Sequence, residues 1–226
     1  MPNRPKIVAL DVVETVFALE SLDSRIRSAG LPEEALKLFF AQMLRDAFAL
    51  EASGVYKPFR EVAAGSLAVV MANHGVPASQ QAIGGVLAGF AELAPHPDIE
   101  PALDRLRAAG MRIMALTNGA AETTRRLFSR ARLDSYMERV ISIDEVQRWK
   151  PNREVYLHAA RAAGVAPEQM ALVAAHAWDV HGAKSAGLCA AWVRRQDRQF
   201  QPAMAAPDVQ GETMLEVASA LLAMPA

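Results

Sequence analysis

The chain has 226 residues, 52% of them hydrophobic and 22% charged, with a formal net charge of -1. That length fits one large domain or a core with a smaller insert, and the composition suits a globule with a sizeable core. The near-neutral charge leaves no electrostatic footprint for nucleic acid or an anionic membrane surface, so neither is expected as a partner.

The first six residues lead straight into a strand pattern. Ile7, Val8, Ala9 and Leu10 form a continuous apolar run, as in a parallel strand buried on both faces. Asp11 follows at once. A carboxylate is costly to bury without partners, and ligands of open α/β sheets sit at the carboxyl ends of strands. Asp11 therefore either serves a site there, with the Thr15 hydroxyl in reach, or caps a following helix. From residue 16 to 95 the pattern is helical. Apolar residues from Leu36 to Phe48 recur at helical spacing, predicting a helix over 33–52. Gly54 and Pro58 break it, and further helices are expected over 59–73 and 79–93. No strand is expected in this segment, and 94–98 reads as a Pro-dense hinge.

Beyond the hinge, predicted strands (112–116, 140–143, 170–175, 189–193) alternate with predicted helices (101–109, 122–131, 153–163, 180–186), and glycines close several of the helices. An edge strand over 207–209 and a last helix over 213–224 complete the pattern, after a surface loop over 193–207. This alternation predicts an α/β fold, a Rossmann-like doubly wound parallel sheet with an all-helical insert. The expected division is a core of residues 1–15 and 96–226 and a helical cap of residues 16–95.

Polar groups collect at strand ends: Asp11 and Thr15, then Thr117 and Asn118, then Lys150, then His176, Trp178 and Asp179. Parallel strands present their carboxyl ends together, so these groups are expected to converge. A lysine there would keep Asp11 ionised, as a nucleophilic carboxylate requires. The single cysteine, Cys189, excludes an intramolecular disulfide and suits a reducing compartment; it reads as a small buried hydrophobe. With no signal peptide expected and no apolar run long enough to span a bilayer, a cytoplasmic protein is expected.

The order of these motifs resembles the haloacid dehalogenase superfamily across nearly the whole chain. That resemblance separates two activities. Phosphatases of the superfamily carry a second Asp two residues after the nucleophile, which protonates the leaving alkoxide. Here that position is Val13, which has no proton to give, and a departing halide needs none. The stretches SIDEVQRWKPNREVY and AAHAWDVHGAKSAGL look like the type II 2-haloacid dehalogenases, which use no metal or other cofactor.

The resemblance implies attack by Asp11 on C2 of a small 2-haloacid, then hydrolysis of the aspartyl ester. Thr15, Lys150, Asp179 and His176 would serve the nucleophile and the water. Thr117 and Asn118 would contact the substrate, with Phe59, Tyr156 and Trp178 around it; each aromatic reads equally as core. The family's cap arginine falls on Phe40 here, and Arg45 is the nearest cap arginine, either taking that role through a register shift or facing solvent. Glu14 stands where the family has glycine, and His176 where it has asparagine. His176 either acts as a base or halide donor, or merely bonds the loop backbone. The other histidines show no metal spacing. A magnesium-dependent phosphatase or a non-catalytic binding protein are the alternatives. By analogy with the family, a homodimer is expected.

Overall fold

The computed structural model describes residues 3–225. In chain order it opens with β1 (Ile7–Leu10), β2 (Phe17–Ala18), α1 (Asp23–Ser28), α2 (Ala35–Ala52), α3 (Phe59–Asn73), α4 (Gln80–Ala88) and β3 (Ala94–Pro95). It continues with α5 (Ile99–Ala108), β4 (Arg112–Thr117), α6 (Ala121–Arg130), β5 (Arg139–Ser142) and α7 (Arg153–Ala163). The last elements are β6 (Met170–Ala174), α8 (Ala177–Ser185), β7 (Cys189–Val193), β8 (Val209–Gly211) and α9 (Met214–Leu222).

All four side chains of β1 are buried, as its unbroken apolar sequence requires of a strand covered on both faces. β1 pairs in parallel with β4 on one side and β6 on the other. The six-stranded sheet runs β5-β4-β1-β6-β7-β8, every pairing parallel. The chain thus builds outward in one direction from β1, then crosses back and builds outward in the other. The reversal creates a topological switch point beside the carboxyl end of β1, where doubly wound sheets bind ligands. Cys189 is buried in β7, and burial pushes its thiol up to about 12.

The segment between β1 and α5 is helical, with one correction to expectation. β2 and β3 pair antiparallel, joining Phe17 with Pro95 and Ala18 with Ala94. This ribbon brings the two ends of the helical segment side by side. Two-residue strands are too short to leave a periodic signal in sequence. Within the segment, Leu36, Phe39, Phe40, Met43 and Ala47 of α2 are buried, while Leu38, Ala41, Arg45 and Ala49 face outward. Phe17 meets Phe128 of α6 edge-on at 5.2 Å between centroids, and Phe59 meets Phe90 at 5.1 Å.

The stretch after β7 is irregular, as expected of a loop, yet Arg195 within it is tied down. Its guanidinium spans both Asp98 oxygens at 2.9 and 3.0 Å and reaches the Thr15 carbonyl at 3.3 Å. The first turn after β1 is therefore held from outside. Among the described residues, no helix is long and apolar enough to cross a membrane.

Candidate active site

Asp11 lies directly past β1, at the switch point. No helix follows it, so the capping alternative does not hold. The chain instead turns sharply, with the amides of Val16 and Phe17 both donating to the Val12 carbonyl at 3.0 Å. The turn folds Thr15 back, and its hydroxyl donates to Asp11 Oδ2 at 2.6 Å while accepting the Ala175 amide at 2.9 Å. That second bond commits the Thr15 proton to Asp11.

Lys150 is fully buried and its Nζ donates to Asp11 Oδ1 at 3.1 Å and to Asp179 Oδ2 at 2.8 Å. Tyr156 donates to the other oxygen of Asp179 at 2.6 Å. Tyr156 is thus both a core tyrosine and a member of the network. A buried charge persists only when paired and hydrogen-bonded, and each of these four groups is paired. Burial opposes ionisation of Asp11, but Lys150 and His176 outweigh it and hold the carboxyl well below the usual range. Burial opposes the Lys150 ammonium too, and Asp11 and Asp179 outweigh it, raising its pKa. Burial and the Asp11 charge push Asp179 up against the pull of Lys150. Burial and Asp179 raise Tyr156 well above a free phenol, so it remains a donor. Asp11 is accordingly the carboxylate most firmly held as an anion.

Two features fix this geometry. Gly182 of α8 leaves room for the tyrosine: a Cβ there would stand 2.5 Å from the Tyr156 hydroxyl and 2.6 Å from Pro151 Cβ. The loop carrying Lys150 is gripped by the helical segment. Glu51 accepts from the Trp149 amide at 2.8 Å and Asn152 Nδ2 at 2.7 Å, and Trp149 Nε1 donates to the Lys57 carbonyl at 2.9 Å.

Beside Asp11 stands a second pair. His176 Nε2 lies 2.7 Å from Glu14 Oε2, and its Nδ1 lies 3.4 Å from Asp11 Oδ2. The second distance is long for a hydrogen bond, and Nδ1 has no hydrogen-bonding partner among the described residues. Burial opposes the imidazolium, but Asp11 and Glu14 outweigh it and raise the pKa to about 10. His176 does not merely bond the loop backbone. Glu14 has a left-handed backbone, with φ of 66°, a conformation costing a non-glycine residue about 1–2 kcal/mol. Such strain persists where other interactions hold it, and here the Glu14 amide donates to the Phe17 carbonyl at 2.8 Å, His96 Nε2 lies 3.2 Å from the Glu14 carbonyl and the side chain meets His176.

A space of about 20 Å³ opens over Asp11, bounded by Val13, Phe40, Met43, Leu44, Phe59, Trp178, His176 and the Thr117–Gly119 turn. Asn118 Oδ1 accepts the Lys150 amide at 3.2 Å, which orients its NH2 group, and the Gly119 amide donates to Thr117 Oγ1 at 2.9 Å. Phe40 and Trp178 flank His176, with ring centroids 6.3 and 5.0 Å from it. The fold thus brings together Asp11, Thr15, Thr117, Asn118, Lys150, Tyr156, His176, Trp178, Asp179 and Phe59.

It does not bring Arg45. That side chain is 69% exposed and pairs with Asp46 at 2.7 Å, on the outward stripe of α2. Five positions along a helix rotate a side chain by about 140°, so Arg45 cannot share the inward direction of Phe40. One group was read in the sequence without its partner, and another went unread. Glu14 was visible only as a departure from the family, although a new acid and a new histidine together suggest a pair. Arg60, next to Phe59, lines a cleft adjoining the site; nothing in its spacing marks it.

Residues 6–187 match the haloacid dehalogenase-like hydrolase family. An (S)-2-haloacid dehalogenase of Pseudomonas putida is 24% identical over 217 residues, covering 95% of this chain and 97% of that protein. The solved structure of L-2-haloacid dehalogenase from Xanthobacter autotrophicus with chloropropionic acid covalently bound matches with a TM-score of 0.90 at 22% identity, covering 97% of this chain and 99% of the other. A HAD phosphatase from Thermococcus onnurineus matches with a TM-score of 0.62 at 24% identity, covering 96% of this chain and 97% of its own. The family match spans most of the sequence, and the chain belongs to the haloacid dehalogenase-like hydrolases.

Proposed function

We propose that this chain is a hydrolytic 2-haloacid dehalogenase with Asp11 as its nucleophile. The observation that carries the reading is the buried Lys150 bridge between Asp11 and Asp179, set beneath a largely apolar roof with Val13 where a proton donor would otherwise stand. An Asp11 oxygen attacks C2 of the haloacid from the face opposite the halogen. The C–X bond breaks and its electron pair leaves with the halide, giving an ester of inverted configuration. Water gives one proton to a base as it adds to Cγ of Asp11, the Cγ–O bond to the substrate breaks, and the departing oxygen takes the second water proton as the 2-hydroxy acid leaves. The net change consumes water and releases halide and one proton.

The Glu14–His176 pair supplies the base for the second half. In the resting site the imidazole is protonated. Ester formation cancels the Asp11 charge, which removes one of the two anions raising the His176 pKa. The imidazole then releases its proton to solvent, which is the one proton of the net change, and as a free base takes one from the attacking water. The Thr117 hydroxyl and the Asn118 NH2 group are the donors to the substrate carboxylate, and Phe40, Phe59 and Trp178 enclose the halogen. Metal is not required in this scheme. The charge of Asp179 is met by Lys150, with Tyr156 donating to its other oxygen.

Three further readings belong to this proposal. Residues 16–95 act as a cap over the core of residues 1–15 and 96–226, hinged at the β2–β3 ribbon. The protein works in the cytoplasm, in keeping with its buried free thiol. It pairs as a homodimer through the helical segment, where Leu38 and Val69 are each 48% exposed.

The test is halide release from 2-chloropropanoate and bromoacetate in EDTA. Release is expected from at least one acid. Its absence, together with magnesium-dependent release of phosphate from small esters, would overturn the reading.

A further inference from the structure

We propose that the preferred substrate carries an aryl-sized apolar group, seated in a second cavity beside the Asp11 pocket; this rests on the dehalogenase reading above. The space over Asp11, about 20 Å³, is close to the minimum that holds one water. It offers nothing to a substituent beyond C2. The adjoining cavity is about 140 Å³, near the roughly 150 Å³ of an apolar cavity that admits benzene.

The two spaces share Val13, Phe59, Thr117 and Gly119 as common walls. Beyond that shared lining the second cavity is bounded by Leu87, Phe90 and Leu127, with Arg60 and Asp144 exposed at its rim. His176, Trp178 and Phe40 line the first space and not the second. The annex therefore lies on the Val13 side, away from the histidine and the aromatic wall. A substrate with its carboxylate at Thr117 and Asn118 and its halogen toward Phe40 and Trp178 would send its remaining C2 substituent that way. Phe59 is held in place on this shared lining: its ring stacks on Trp149 at 6.1 Å and meets Phe90 edge-on at 5.1 Å. An aromatic group is suited to this wall, since ring pairs favour edge-to-face contact at such distances.

The experiment compares kcat/KM for 2-bromo-3-phenylpropanoate with that for 2-bromopropanoate. Thr123→Phe fills the annex from α6, and Leu87→Ala enlarges it. Wild type is expected to favour the phenyl acid, and Thr123→Phe to lower the ratio by about tenfold or more. Should Thr123→Phe fail to fold, Leu87→Ala decides the matter by raising the ratio for a bulkier naphthyl homologue. A ratio unmoved by both variants, with bromide still released from 2-bromopropanoate, overturns the annex and leaves the dehalogenase reading standing. No bromide from either acid overturns both.

Discussion

The floor and the roof of this site are built on different physics. The floor gathers at the carboxyl edge of the sheet, from the loops after the strands and the first turns of α7 and α8, and is charged, buried and bonded: Asp11, Thr15, Lys150, Tyr156 and Asp179 meet one another at 2.6–3.1 Å. The roof comes from α2 and α3 and is apolar, with Phe40, Met43, Leu44 and Phe59 facing down. A polar network tolerates almost no replacement, because each group lost strands another in a low dielectric. An apolar wall tolerates change of shape and so is free to set which substrate enters. On the proposed dehalogenase chemistry, the floor fixes the reaction and the roof selects its substrate.

The sharpest way to break this contrast is to remove the cation of the floor. Lys150→Met would leave two buried carboxylates facing each other. Breaking a buried pair in this way costs about 3–5 kcal/mol, so a large fall in urea midpoint is expected. A loss in kcat of about a thousandfold should accompany it, the scale of losing a preorganised charge. Near-wild-type stability and turnover would mean that the floor is less interdependent than its bonding implies.

A smaller effect is expected from the pair at the edge of the floor. Glu14→Gln keeps the shape and removes the anion that stabilises the imidazolium formed as His176 takes the proton of the attacking water. Hydrolysis of the ester is expected to slow by about a hundredfold, the scale of general base catalysis. The alkylation step should be less affected, so stopped-flow assays should show a burst of halide equal to the enzyme present. His176 also predicts a pH effect on stability. Its pKa is raised to about 10 from an ordinary 6.5, so its stabilising contribution is complete below about pH 6.5 and is lost as pH rises through about 10. His176→Asn should lack that part of the alkaline decline in urea midpoint.

The same contrast explains what the sequence revealed. Strand ends are easy to read, because an apolar run such as Ile7–Leu10 stops at a polar residue and the parallel sheet gathers those ends by necessity. Asp11, Thr117, Lys150 and Asp179 were legible on that ground. The helical roof was not, because a residue's direction there depends on helix register. Arg45 falls on the outward stripe while Phe40 points in, and spacing counted from a distant anchor cannot separate them reliably. Glu14 needed two facts that sequence alone holds apart, a left-handed backbone and a histidine 162 positions away. The β2–β3 ribbon was too short to read at all.

The most direct test of Asp11 as nucleophile is a single turnover in H2(18)O with enzyme in excess over 2-chloropropanoate, followed by mass spectrometry of the peptide containing residue 11 and of the product. The ester route predicts heavy oxygen in the Asp11 carboxylate and an unlabelled 2-hydroxy acid. Heavy oxygen in the product, with Asp11 unlabelled, would mean that water attacks C2 directly, and would contradict it.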